Sequence, residues 1–172
     1  MEEEYKILTE CRACGNNDLV SYLDLGDMPL VNNVLTEQEL KDEKKYPLNV
    51  LFCNDCNLSQ LSTVVDPSIL FRNYTYRSSI SDSFRGHCES LSQDLNRTLL
   101  NREDLIVDIA SNDGCLLRPF KEKGNRVLGV DPAINLAEIA NKSGIETIPE
   151  FWDPKLAEEI LKEYGPAKAI TA

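Results

Sequence analysis

Two Cys-x-x-Cys pairs constrain this chain more than any other feature. Cys11-Arg-Ala-Cys14-Gly is followed, 39 positions after Cys14, by Cys53-Asn-Asp-Cys56. Each knuckle aims two thiolates at one centre, and two knuckles close the tetrahedral four-sulfur cage that structural zinc prefers. Cys11, Cys14, Cys53 and Cys56 are therefore the expected ligands of a Zn2+ ion with no open coordination position. The spacer has room for a strand, a loop and a hairpin. The alternative, a redox Cys-x-x-Cys, needs a single pair set between a strand and a helix. Cys88 and Cys115 fall outside the pattern; they read as a buried helix thiol and a small residue in a turn.

The opening residues, MEEEYKILTE, lack the basic and apolar regions of a signal peptide, and no run approaches the roughly 20 apolar residues of a membrane span. A cytoplasmic location without membrane attachment is the expectation. In that reducing setting cysteines serve as ligands or free thiols rather than disulfides. A net charge of −11 leaves no basic face for phosphates, which argues against a long nucleic acid as partner.

The chain has two grammars, and the fold class they give is α/β. Residues 1–70 carry short β-like runs, turn residues and both cysteine pairs, as a small zinc-binding β domain would. Residues 71–100 form a connector: the aromatic and hydroxyl-rich FRNYTYRSSIS, then a helix from Ser81 whose Phe84, His87, Cys88, Leu91, Leu95 and Leu99 recur at helical spacing and should face a core. From 101 to 172, apolar strands alternate with helices, the pattern of βαβ units over a parallel sheet. Strands are expected at Leu105–Ile109, Arg126–Val130, Ile145–Ile148 and Ala167–Thr171. Helices are expected from Asp113 to Lys123, from Pro132 to Gly144, and from Asp153 to Gly165. Four strands make about half of a doubly wound sheet, so the chain reads as a fragment holding a partial Rossmann-like domain.

The first strand-to-helix turn reads Val107-Asp-Ile-Ala110-Ser-Asn-Asp-Gly114. Dinucleotide-binding proteins place G-x-G-x-x-G here for a pyrophosphate. This turn has one glycine and two carboxylates, which suits a ligand with an ammonium and no phosphate, such as the methionyl end of S-adenosylmethionine. Asp131, at the tip of the second strand, can accept from both ribose hydroxyls. The candidate cofactor residues are thus Asp108, Ala110, Ser111, Asn112, Gly114 and Asp131. A generic turn, with Asp131 capping the next helix, is the plain alternative, and a nicotinamide dinucleotide is a rival ligand.

Together these motifs resemble the sugar C-methyltransferases that act on nucleotide-linked keto-deoxysugars. The matching residues are Cys11–Cys14 with Leu23–Leu30, Cys53–Cys56, Tyr74–Ser79, Ser83–His87, the Asp108–Leu117 loop and Gly129–Pro132. The resemblance covers nearly the whole chain. It implies an N-terminal zinc-binding domain, a central Rossmann-like domain that binds S-adenosylmethionine, and a further C-terminal α/β domain. It also implies methyl transfer to a sugar carbon beside a ketone, in which a base must first remove a proton. The family's His, Glu and Tyr residues for that step lie beyond the part present here, so the fragment alone should be inactive. By resemblance Tyr76 lines the active site; aromatic packing is its other reading. His87, the only histidine, is the only ordinary neutral-pH base in the sequence. It reads either as a satisfied interior residue or as one facing the pocket. Ala110 stands where many methyltransferases have glycine, which the backbone should allow only with φ below zero. A zinc-ribbon module that binds a protein partner without catalysis, or a methyltransferase for another small acceptor, are the remaining alternatives.

Overall fold

The computed structural model describes residues 4–172, which divide at Leu70/Phe71 into two compact units. In the first, β1 (Tyr5–Ile7) pairs antiparallel with β5 (Thr63–Val65). A second antiparallel sheet has the order β2 (Leu19–Pro29), β3 (Lys45–Cys53), β4 (Ser59–Leu61). Two register shifts, at Ser21/Leu23 and Asp24/Asp27, interrupt the pairing of β2 with β3. Little apolar surface is covered. Tyr46, packed edge-on against Tyr5 at 5.6 Å between ring centres, is the one large apolar side chain buried here among the described residues. Val20, Tyr22, Leu23, Leu25 and Met28 of β2 are all exposed. A unit of this size with so thin a core needs a further source of stability, which a bound metal supplies.

A short helix, α1 (Pro67–Phe71), straddles the division, and the second unit continues with the connector and α2 (Asp82–Thr98), capped by the Ser81 hydroxyl, which accepts the Phe84 N–H at 3.3 Å. A parallel sheet follows, built from β6 (Leu105–Ile109), β7 (Arg126–Val130), β8 (Thr147–Ile148) and β9 (Ala169–Thr171). Its order is β8-β7-β6-β9, the third, second, first and fourth strands of the sheet, as in the first part of a doubly wound fold. The crossovers are α3 (Leu117–Glu122), α4 (Ile134–Lys142) and α5 (Pro154–Tyr164). Alternate strand residues feed two cores. Ile106 packs with Leu117 and Phe120 of α3 and Ala140 of α4. Leu105, Val107, Leu128 and Val130 pack with Ile160 of α5. The sheet is thus covered on both faces, as parallel sheets require. Among the described residues no helix is long and apolar enough to cross a membrane.

Several local expectations need correction. The stretch Asn112–Leu116 is a set of turns and α3 starts only at Leu117, where Pro119 falls in the first turn and its missing N–H costs nothing. Pro132 precedes α4 instead of opening it, because Ala133 is the capping residue. The third and fourth strands are shorter than the apolar runs that marked them. In α2 the buried positions are Cys88 and Ser92, while Phe84, His87 and Leu99 are exposed, so the apolar stripe does not coincide with the packed face.

Candidate metal centre and cofactor loop

The metal centre is assembled by two similar knuckles. Cys11 N–H donates to Asn16 O at 2.8 Å and Gly15 N–H to Cys11 O at 2.9 Å; Cys53 N–H donates to Leu58 O at 2.9 Å and Asn57 N–H to Cys53 O at 3.0 Å. In each, the residue after the second cysteine is left-handed, Gly15 at φ 74° and Asn57 at φ 61°. These are residue types that reach this region at low cost. The four sulfurs lie within 4.8 Å of one another, with Cys11–Cys56 at 3.5 Å and Cys14–Cys53 at 3.6 Å. Four thiolates about 2.3 Å from a central zinc would stand roughly 3.8 Å apart, so the cage is of the right size.

The electrostatics agree. The backbone N–H groups of Cys14 and Ala13 bring the Cys11 thiol down to about 6. The Asn16 N–H likewise favours the Cys14 thiolate, but partial loss of solvent on the cluster side and the three neighbouring sulfurs outweigh it and push this thiol up to about 12. Four clustered sulfurs cannot all ionise without a cation among them. Gln60 was not legible in advance. It is buried on β4, where its Oε1 accepts the Arg12 N–H at 2.8 Å and its Nε2 donates to Glu10 O at 3.0 Å, bracketing Cys11.

In the second unit, the chain leaves β6 at Ile109 and enters a loop with three left-handed residues: Ala110 at φ 57°, Asn112 at 53° and Gly114 at 75°. The expectation for Ala110 is thereby overturned, since an alanine with its Cβ occupies the region where glycine is favoured. Such a residue costs on the order of 1–2 kcal/mol and is held there by its surroundings. Ser111 N–H donates to Val130 O at 3.2 Å. A Cβ at Gly114 would stand 2.9 Å from Ile145 Cγ2, so the loop lies hard against the core.

Two carboxylates frame this loop. Asp131 is buried; its Oδ2 accepts the Asn112 N–H at 2.7 Å and its Oδ1 the Ala133 N–H at 2.8 Å. It thereby fixes the backbone just before α4, whose cap, Ala133, makes no side-chain capping bond, and ties down the loop as well. Asp108 accepts from Thr171 Oγ1 at 2.6 Å. Burial pushes its carboxyl up to about 6, against the pull of that hydrogen bond and with a smaller push from Asp131. Ser111 Oγ and Asp113 Oδ1 are buried without a protein partner.

The connector is more than a link. Tyr74 N–H donates to Asn135 Oδ1 at 3.0 Å, and Asn135 Nδ2 returns a bond to Tyr74 O at 2.8 Å. Ser78 N–H donates to Asn112 Oδ1 at 3.0 Å, while Ser79 bonds Asp113 Oδ2 through its hydroxyl and its N–H. Residues 72–79 thus form a strap over the ends of β6 and β7. Tyr76, about half exposed, and His87 line a depression of about 440 Å³ with Ser78, Ser81, Ser83 and Phe84. Asp108, Ala110, Ser111, Asn112, Gly114 and Asp131 all gather at the strand ends, and Tyr76 and His87 gather in the depression beside the strap.

Residues 11–71 match a family described as "Putative zinc binding domain". The chain is 37% identical over 172 residues to the C-methyltransferase NovU of Streptomyces niveus, covering 99% of this chain and 41% of that protein. It spans well under half the length of this curated relative. Among solved structures, the plantazolicin methyltransferase BpumL in complex with SAH aligns with 37% of this chain and 26% of its own at 20% identity and a TM-score of 0.31. A protein of Methanococcus maripaludis described as a "putative s-adenosyl-l-methionine-dependent methyltransferase" aligns with 55% of this chain and 38% of its own at 14% identity and a TM-score of 0.33. Over nearly its whole length the chain is thus similar to a C-methyltransferase, and residues 11–71 match a zinc-binding domain family.

Proposed function

We propose that this chain supplies the zinc-binding and cofactor-binding parts of an S-adenosylmethionine-dependent methyltransferase that methylates a carbon of a nucleotide-linked keto-deoxysugar. In this reading residues 1–70 are the zinc domain, residues 71–100 are the connector that helps form the pocket, and residues 101–172 are the first part of the cofactor domain. The observation that carries it is the loop after β6, closed over by Asp131 and framed by the carboxylates of Asp108 and Asp113. Buried carboxylates so close to the loop disfavour a pyrophosphate and favour a cation. Asp131 has unused lone pairs for ribose hydroxyls, and the backbone of Ala110–Gly114 approaches the methionyl end. S-adenosylmethionine supplies an electrophilic methyl on a sulfonium.

Tyr76 and His87 stand on the substrate side, where an aromatic ring and a ring of serine hydroxyls suit a sugar. The base that removes the proton beside the ketone is expected outside residues 1–172, so this chain alone should bind cofactor without turnover. A cytoplasmic enzyme with a small-molecule substrate and no nucleic-acid partner fits the acidic surface.

Calorimetric titration of S-adenosylmethionine into the zinc-loaded chain tests this. Binding is expected. Asp131→Ala should weaken it about 10- to 100-fold, the worth of hydrogen bonds to a charged acceptor. No binding, or preference for a nicotinamide dinucleotide, would overturn the methyltransferase reading and favour a partner-binding zinc module.

A further inference from the structure

Asn112 reads from sequence as a cofactor residue, yet its side chain is committed elsewhere. Oδ1 accepts two N–H groups, from Ser78 at 3.0 Å and from Asp113 at 2.9 Å, which occupies both lone pairs. Nδ2 donates to Tyr76 O at 3.1 Å. The two strap groups it holds, the Tyr76 carbonyl and the Ser78 amide, sit in the backbone just after the Tyr76 ring. Its own N–H goes to Asp131 Oδ2. Asparagine suits the place, because few other residues with a side chain reach φ 53° readily. One residue thus connects the buried carboxylate at the end of β7 to the segment that carries Tyr76.

We propose that Asn112 is a positioning residue: it clasps the strap so that Tyr76 is correctly placed, and it links that placement to occupancy of Asp131 by the cofactor ribose. This assignment rests on the methyltransferase reading of the loop. A ligand that fixes Asp131 also fixes the Asn112 backbone, and through Oδ1 and Nδ2 it steadies residues 76–78. Linkage is reciprocal, so releasing the strap lowers affinity for the ligand by the factor by which the ligand orders the strap.

Amide hydrogen exchange at Ser78, resolved by NMR on the zinc-loaded chain with and without S-adenosylmethionine, separates the possibilities. Asn112→Gly keeps the left-handed backbone and removes only the clasp. Without ligand it should speed Ser78 exchange about 5- to 10-fold, the worth of one neutral hydrogen bond, while Val107 in the core sheet stays protected. Asn112→Asp restores an acceptor and should recover the slow exchange at Ser78, a rescue that general loosening would not show. In the wild type S-adenosylmethionine should slow Ser78 further, and in Asn112→Gly it should not. Unchanged Ser78 exchange in ligand-free Asn112→Gly would overturn the clasp. Equal slowing by ligand in both proteins would overturn the linkage. A wild type that binds no S-adenosylmethionine would overturn the methyltransferase reading and the linkage with it, and the ligand-free comparison would still decide the clasp. If Asn112→Gly fails to fold, Asn112→Asp carries the comparison through Tyr76, whose carbonyl it leaves without a donor; an unchanged Tyr76 ring spectrum would then overturn the clasp.

Discussion

Gly129, in the middle of β7, is where one added methyl group should do most damage. Its backbone is ordinary strand, so the reason for glycine is space alone. A Cβ there would stand 2.5 Å from Ser111 Oγ, 2.7 Å from Thr147 Oγ1 and 3.1 Å from Ser111 Cβ. Ordinary contacts begin near 3.4 Å, so both hydroxyls must retreat by the better part of an ångström. Thr147 Oγ1 would then give up its bond to Ile145 O, now 3.1 Å. Overpacking of this kind costs about 1–3 kcal/mol. A central value of about 2 kcal/mol lowers the melting temperature of a domain near this size by about 8–16 °C, readable by calorimetry. Ser111 Oγ has no partner to lose, so Ser111→Ala alone should be close to neutral. In the Gly129→Ala background it should restore about 1 kcal/mol, a coupling that a double-mutant cycle resolves. Gly129→Ala within about 0.5 kcal/mol of wild type, or a cycle without coupling, would refute the steric account.

Other outcomes follow from the same contacts. Removing zinc with a chelator, or replacing Cys53 by serine, should collapse the amide dispersion of residues 4–70 in an NMR spectrum, since apparent metal free energies of about 10–16 kcal/mol far exceed what this thin core supplies; an unchanged spectrum would contradict this. Asp108 holds its proton up to about pH 6, above its ordinary 3.8, so the folded protein binds that proton more tightly than the unfolded chain. The stability it contributes is complete below about pH 4 and is lost as pH rises through 6. Asp108→Asn should flatten that slope in urea titrations and add up to about 3 kcal/mol at pH 8. Ala110→Gly should relieve the left-handed alanine and raise the urea midpoint by the equivalent of about 1 kcal/mol; a lower midpoint would mean the methyl group packs usefully.

What the sequence disclosed depended on whether a feature repeats along the chain. β6 and β7 were readable to the residue, because Leu105–Ile109 and Arg126–Val130 are short, mostly apolar runs that each follow a polar residue. The cysteine pairs were equally plain, since sulfur spacing fixes knuckle geometry. The strap was not readable. Its bonds run from Tyr76, Ser78 and Ser79 to Asn112 and Asp113 across more than thirty positions, and single polar contacts leave no period. His87 was misplaced among core positions because the helix turns its Cys88–Ser92 side inward, and a serine at the packed centre hides the face. Ala110 misled for a related reason: a left-handed φ is imposed by the loop as a whole, and alanine gives no hint of it.

The two knuckles are alike in fold, and within each the two sulfurs are unequal in access. Cys11 and Cys53 are covered, whereas Cys14 and Cys56 are open to solvent. The cage therefore has a closed side and a door. A chelator, an alkylating reagent or a competing soft cation meets one sulfur from each knuckle first, while the inner pair keeps its grip. Metal exchange should thus be stepwise and quicken with the concentration of the incoming competitor, with no need for the surrounding strands to unfold. Occupancy would then follow the cell's supply of free zinc and thiol reagents from moment to moment, rather than being settled once when the chain folds.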